Sequence, residues 1–255
     1  MRRVKSAKNV TNPKFWNDKY KKSYCKYHLS NPYYGRNGLF AKTILPKLNN
    51  VDDVLELGCG NSQYLMFFSL VGGLETYGID YSKKGLAQLE QMSAAHNVRH
   101  HLVYNDMFLE DIGGKKFELV FHAGLVEHFE QLDVFFERCH FFCQPGGHMI
   151  FLMPNMQNLA WKLHKYLCPD NFSAHIPYTS KQVCAALSLH FSEVTCQSWG
   201  VPQLYAGGPP EKTMAYMLKY INLAWMLFFL SVFPRYKGFT GSRFASTWLF
   251  EAKAK

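Results

Sequence analysis

The most constraining feature of this 255-residue chain is an apolar run that stops on glycine. Val51 to Leu57 is short and rich in Val and Leu. It breaks into Gly58-Cys59-Gly60, and a stretch of helical character follows from Ser62 to Val71. A short apolar run bounded by turn residues reads as a buried parallel strand, then a tight turn, then a helix. Glycine in the turn permits positive φ and lets a ligand lie against the backbone. The helix start adds N–H groups without partners inside the helix.

Gly-x-Gly by itself fits many tight turns; Glu56 narrows the reading. A carboxylate two residues before the first glycine sits at the mouth of the turn, where it would repel a pyrophosphate and attract a cation. The third glycine of the dinucleotide pattern is absent, since position 63 is Gln63. The turn therefore suits a nucleoside carrying positive charge. Leu74 to Ile79 is a second apolar run, ending in Asp80-Tyr81-Ser82. An acidic residue at a strand end roughly twenty residues on can hold ribose hydroxyls. Val98 to Asp106 reads as a third strand closing on Asn105-Asp106-Met107, with Asp106 placed to accept from an adenine amino group.

One glycine turn and three acidic strand ends in this order resemble the class I S-adenosylmethionine-dependent methyltransferases. The resemblance continues through Phe117-Glu118-Leu119-Val120-Phe121, Gly124-Leu125-Val126-Glu127-His128 and Gln144-Pro145-Gly146-Gly147-His148. It is strong over residues 52–155 and loose elsewhere, and it looks most like the small-molecule, ubiquinone-biosynthesis branch. It implies S-adenosyl-L-methionine as cofactor, held by Glu56, Gly58, Cys59, Gly60, Asp80, Tyr81, Asp106 and Met107. His122 and Ala123 would pass near the sulfonium.

Strands alternating with helices along the chain predict a doubly wound α/β fold. With the resemblance, the expectation is a mostly parallel seven-stranded sheet of the Rossmann-like methyltransferase type. Helices are expected over 83–97, 132–143, 161–167 and 181–190, and strands over 149–153, 193–199 and 244–252. The domain expectation is an N-terminal helical extension over 1–48 and the sheet domain over 49–255. Residues 1–12 read as disordered. A helix from Pro13 carries Phe15, Trp16 and Tyr20 on one stripe. The resemblance implies that such a helix is a lid with Trp16 and Tyr20 toward the cofactor; ordinary packing onto the sheet explains the stripe as well. Tyr33, Tyr34 and Arg36 are candidates for closing the pocket, Arg36 toward the methionyl carboxylate, or are surface turn residues.

The stretch from Gly200 to Arg243, before the last strand, is an insertion. Its centre, Ala215 to Phe233, is apolar almost all round and is interrupted by Lys219 and Asn222. It falls short of the about twenty apolar residues of a membrane span. A helix apolar on all faces is buried in protein or at an interface. The expectation is a helical cap over the substrate mouth, with a dimer contact or a membrane surface as the other two readings; Lys212, Lys219, Arg235, Lys237 and Arg243 flank it.

Composition bounds the partners. The formal charge of +9 fits nucleic acid, an anionic membrane surface or a lysine-rich solvated face. The charge makes a nucleic-acid (RNA) methyltransferase the first alternative, against which no base-amino-methylase Asn-Pro-Pro-Tyr or Asp-Pro-Pro-Tyr motif and no RNA-binding module is found; a non-catalytic protein on the same fold is the second. Seven cysteines with no Cys-x-x-Cys read as free thiols. A zinc site needs about four ligands, and Cys139, His140 and Cys143 have no matching second pair, so no metal is expected. No apolar stretch follows the basic N-terminus, and the expected location is the cytoplasm, with a membrane periphery open through 215–233.

The resemblance implies methyl transfer by in-line displacement to an O or N atom of a small, apolar or aromatic acceptor. Positioning and exclusion of water carry most of the catalysis. A base is needed when the acceptor is a hydroxyl. The candidates are His122, His128 and His175, each of which is also accounted for as a structural histidine.

Overall fold

The computed structural model describes residues 6–21, 35–203, 213–233 and 245–255, with only the backbone given for residues 21, 35–38, 213–216, 219 and 230. In chain order the elements are α1 (Pro13–Lys21), α2 (Gly35–Ile44), β1 (Asp53–Leu57), α3 (Gln63–Leu70), β2 (Glu75–Asp80), α4 (Lys83–Ala95) and β3 (His101–Tyr104). They continue as β4 (Phe117–Ala123), α5 (Leu132–Phe142), β5 (Cys143–Pro154), α6 (Leu159–Leu167), α7 (Pro169–Ser173), α8 (Ser180–Leu187), β6 (Phe191–Trp199), α9 (Thr213–Val232) and β7 (Thr247–Ala254). Tyr33, Tyr34 and the side chain of Arg36 lie outside the described residues, as do the five basic side chains flanking α9.

The seven strands form one sheet in the order β3-β2-β1-β4-β5-β7-β6. All neighbouring pairs are parallel except those of β7, which runs antiparallel to both β5 and β6. The strand order reverses beside β1, and ligands in open α/β sheets bind at such a switch point, outside the carboxyl ends of the strands.

Both faces of the sheet are covered, so its central strands are apolar on both sides. Alternation along β5 sends Met149, Phe151 and Met153 to one core with Phe135, Phe136 and Phe142 of α5. Ile150 and Leu152 go to the other, with Ile44, Phe67, Phe68 and Trp199. The helices are locally specified: Ser62 caps α3 by accepting from the Tyr64 and Leu65 N–H groups, and Thr179 and Gln182 form a capping box on α8.

Three expectations are revised. Residues 6–12 are an ordered strap rather than a disordered tail. Asn9 bridges to Phe129, the Val10 N–H donates to the His128 carbonyl (2.8 Å), and the Glu130 N–H donates to the Lys8 carbonyl (2.9 Å). Ala7 and Thr11 are buried. Short polar sequence gave no periodicity to read; the order comes from pairing with a distant segment. Second, β5 begins at Cys143, so Pro145-Gly146-Gly147 lies inside a strand. A register shift against β4 between Phe117 and Leu119 accommodates it, and a Cβ at position 147 would meet the carbonyl oxygens of Gln144, Phe117 and Glu118 at 3.0–3.1 Å. Third, β3 spans only His101–Tyr104 rather than 98–106. The insertion contains α9 as one continuous helix.

Candidate active site

At the carboxyl ends of β1, β2 and β4 lies a cleft of about 710 Å³. Its floor is the turn after β1. The Gly58 and Cys59 N–H groups both donate to the Ile79 carbonyl, at 2.8 and 3.2 Å, which ties the turn to β2. The Gly60 N–H donates to Asp80 Oδ2 at 2.8 Å, and the Ser82 N–H donates to the other Asp80 oxygen at 2.5 Å. Gly58 and Gly60 both have positive φ, 65° and 47°. At Gly60 the missing side chain matters most: a Cβ there would lie 2.0 Å from the Tyr20 hydroxyl.

Glu56, at the end of β1, is 2 % exposed. It accepts from the Ser62 hydroxyl at 2.9 and 2.7 Å. Burial pushes its pKa up to about 8, opposed by the Ser62 bond and reinforced by Asp80. Burial likewise pushes Asp80 up to about 6, against the two N–H bonds. Among the described residues no cation acts on either carboxylate. Two desolvated acids facing one cleft favour a ligand that brings positive charge and hydroxyl donors.

The strap and α1 close the other side. Trp16 stacks on Tyr20 (centroids 6.0 Å apart) and donates its indole N–H to the Thr11 hydroxyl at 2.9 Å. The Asn17 carbonyl oxygen of the side chain accepts from the Ser82 hydroxyl and the Lys84 N–H, and Gln88 donates to the Tyr20 carbonyl. These bonds dock α1 onto the start of α4. Phe40, Tyr64 and Phe67 form an aromatic wall of the cleft, and Phe108 and Phe129, from the other core cluster, line it as well.

Of the residues singled out in the sequence, Trp16, Tyr20, Glu56, Gly58, Cys59, Asp80, Tyr81, Asp106, Met107 and Ala123 all line this cleft. Gly60 sits under Tyr20 rather than on the surface of the cleft. The Asp106 side chain accepts from the Phe108 N–H at 2.9 Å, which fixes the turn after β3.

The histidines separate. His122 is a correction. It is fully buried, stacks on Phe151 with centroids 4.5 Å apart, and is not among the residues lining the cleft. Alternation along β4 sends Ala123 to the cleft and His122 to the α5 side of the sheet, and burial lowers its pKa to about 3. It is placed neither to touch a cofactor nor to take a proton in the cleft. His128 and His175 come together, ring centroids 4.8 Å apart, behind Trp16, whose ring meets His128 edge-on at 5.2 Å. Neither lines the cleft directly. The His128 Nδ1–H donates to the Ala174 carbonyl and the His175 Nδ1–H to the Asn171 carbonyl, both at 2.7 Å. Burial keeps both rings neutral, His128 lowered to about 3 and His175 to about 4.

Sequence reasoning missed the strap residues Ala7, Lys8, Asn9 and Thr11 and the wall residues Phe40, Tyr64 and Phe67, all of which line the cleft. The aromatic spacing of Tyr64 and Phe67 on a helix beginning at the glycine turn was the one available signal.

A family model described as a methyltransferase domain matches residues 33–187, more than half of the chain. The chain belongs to this methyltransferase family. Its cofactor is S-adenosyl-L-methionine, and the acidic, glycine-floored cleft fits that cationic nucleoside. No curated protein sequence matches the methyltransferase. Solved structures match its fold. One, described by the conversion of a disulfide bond into a thioacetal group during echinomycin biosynthesis, is 16% identical with a TM-score of 0.60, covering 95% of this chain and 92% of that one. The N-methyltransferase NodS from Bradyrhizobium japonicum WM9, in complex with S-adenosyl-L-homocysteine, is 14% identical with a TM-score of 0.56, covering 97% and 99%. An S-adenosylmethionine-dependent methyltransferase from Archaeoglobus fulgidus is 18% identical with a TM-score of 0.54, covering 86% and 100%.

The methyltransferase lacks any helix, among the described residues, long and apolar enough to cross a membrane. The sequence expectation of a cap over the substrate mouth falls on α9. Among the described residues none of α9 lines the cleft. Met226 and Phe229 pack against the core cluster that contains Phe40, so α9 backs the aromatic wall from outside. Its other side is open: Met217, Tyr220, Leu227 and Phe228 are each more than half exposed.

Proposed function

We propose that this methyltransferase acts on an O or N atom of a small apolar or aromatic acceptor. The observation that carries the proposal is the aromatic lining of the cleft, Phe40, Tyr64 and Phe67 together with Phe108 and Phe129, beside the acidic glycine turn. When bound, the cofactor supplies a methyl group already activated by the sulfonium. Glu56 would hold its cationic end, Asp80 the ribose hydroxyls and Asp106 the adenine amino group, with Gly58, Cys59, Tyr81, Met107 and Ala123 against its surface. Trp16 and Tyr20 would cover it and keep water out, and Arg36 is assigned to the methionyl carboxylate. For a hydroxyl acceptor, the base comes from the His128–His175 pair. Each ring donates Nδ1–H to a carbonyl and so keeps a lone pair on Nε2.

The open face of α9 supports contact with an anionic membrane surface. Between Thr213 and Phe233 the only charged residue is Lys219, and Lys212, Arg235, Lys237 and Arg243 flank it in the sequence. An apolar helix with basic flanks and no acidic residue complements anionic headgroups. A membrane-bound enzyme would meet apolar acceptors where they concentrate.

The test is calorimetry with S-adenosylhomocysteine, followed by mass spectrometry of apolar and polar extracts incubated with labelled S-adenosylmethionine. Asp80→Ala should weaken binding by ~1.5–3 kcal/mol, the worth of hydrogen bonds to a charged group. Label appearing only in polar, non-aromatic products would overturn the acceptor class.

A further inference from the structure

Behind Gly124 and Trp16, against the cleft wall, three ligand-type side chains converge: Glu127, His128 and His175. One ligand atom from each lies within 4.8 Å of those of the other two. The arrangement is held by main-chain bonds on both sides. The Ile176 N–H donates to the Glu127 carbonyl at 2.8 Å, and the His128 ring donates to the Ala174 carbonyl. These bonds pin the segment between α7 and α8 onto the short turn after β4.

Each imidazole gives its Nδ1–H to a carbonyl, leaving an Nε2 lone pair. Glu127 and His128 are each 2 % exposed. Glu127 Oε2 is buried and has no hydrogen-bond partner among the described residues. The three groups thus converge around a buried carboxylate oxygen left without a partner among the described residues, an arrangement that a cation would complete. Lys19 is the nearby cation that acts on Glu127, but its ammonium sits over the Trp16 ring, 4.3 Å from the centroid.

We propose that Glu127, His128 and His175 form a binding site for one divalent transition-metal ion. Two imidazole nitrogens and one carboxylate suit Zn²⁺ or Co²⁺, whereas Mg²⁺ prefers oxygen ligands and water. The carbonyl acceptors on Nδ1 are the outer partners that metal-bound histidines use to fix their tautomer. Metal–ligand bonds of about 2.0–2.2 Å put neighbouring donor atoms about 3.3 Å apart. Closing the three to that separation asks for small side-chain rotations, and among the described residues no hydrogen bond holds Glu127 Oε2 against them. Three protein ligands leave a coordination position open. Glu127 Oε1 lies 3.4 Å from where a Cβ at Gly124 would be, and Gly124 lines the cleft, so that position adjoins the site of the acceptor. This last step, the ion as a holder of a polar acceptor atom, rests on the methyl transfer proposed above and stands in place of the histidine base there, since both Nε2 lone pairs are then on the ion; the ion site itself does not rest on it. The spacing could not be read from sequence, because an adjacent Glu-His pair meets a histidine 47 positions further on, counted from His128 to His175.

The experiment titrates the full chain, stripped with chelator, with CoCl₂ and follows visible absorption, with S-adenosylhomocysteine calorimetry on the same samples. One equivalent of Co²⁺ displaced by Zn²⁺ is expected. Glu127→Gln, which keeps the shape, and His175→Ala should each weaken Co²⁺ roughly 100-fold while S-adenosylhomocysteine binding persists. Absence of Co²⁺ binding by the wild-type chain overturns the site, as does binding that both variants leave unchanged. Because cofactor binding is measured beside it, failure of the ion site is distinguishable from failure of the cleft assignment.

Discussion

Glu56 and Asp80 show how a single buried group ties the fold to its ligand. An unfolded glutamate loses its proton near pH 4.5, while Glu56 in the folded, ligand-free protein holds it up to about pH 8. Between those values the folded state binds more protons than the unfolded. The contribution of Glu56 to stability is therefore full below pH 4.5 and declines as pH rises to about 8. Asp80 acts with the same sign over a lower window, from 3.8 to about 6. Among the described residues the groups that act on Glu56 are Ser62, Asp80 and the Leu65 N–H; a bound cation reverses the penalty. S-adenosylmethionine binding at pH 7 should therefore release protons, and its affinity should rise with pH up to about 8. Calorimetry in buffers of different ionisation enthalpy measures this directly. Glu56→Gln should abolish most of the buffer dependence. A wild-type protein with no such dependence would mean that the ligand's charge lies elsewhere. Gly60 is the second residue with a local consequence. Gly60→Ala forces a non-glycine residue to φ 47° under the Tyr20 hydroxyl and should cost about 1–2 kcal/mol of stability, seen as a lowered unfolding midpoint.

Among the elements, α9 divides into two faces with different consequences. Met226 is half-buried against the core cluster that includes Phe40, Phe67 and Trp199, and Gln203 and Asn222 both donate toward its sulfur. Trp225 donates to the Pro202 carbonyl at 2.9 Å, fixing the helix to the chain leaving β6. Met226→Ala should cost about 1–2 kcal/mol, below the full range for a core methionine because the side chain is only partly enclosed. Phe228 is 59 % exposed, and Phe228→Ser should change stability by less than about 0.5 kcal/mol while reducing flotation with anionic vesicles. Chemical denaturation of the two variants separates the faces. Equal destabilisation would show that α9 is packed all round. α1 and the strap form the second functional element. Their bonds to the 127–130 segment and to α4 put Trp16 and Tyr20 over the glycine turn, a placement that the aromatic stripe at 15, 16 and 20 suggested but could not orient.

The whole molecule carries a formal charge of +9, and the proposed surface contact is partly electrostatic. Its vesicle affinity should fall as the Debye length shrinks from about 10 Å at 0.1 M salt to about 3 Å at 1 M. Affinity independent of salt would leave only the apolar face of α9 to account for binding. Local sequence determined the parallel core, the acidic glycine turn and the cofactor class, because each is written within a few residues: an apolar run, a turn, a carboxylate at a strand end. Alternation and helical period determined which side chains enter the core. Tertiary structure decided what depends on segments far apart in the chain. The polar strap at 6–12 became ordered by pairing with Phe129, and among the described residues α9 packs behind the aromatic wall with none of it lining the cleft. His175 met Glu127 and His128 because the segment between α7 and α8 folds back onto the turn after β4. Contacts of that kind follow from where the sheet places its loops, which no local pattern of residues records.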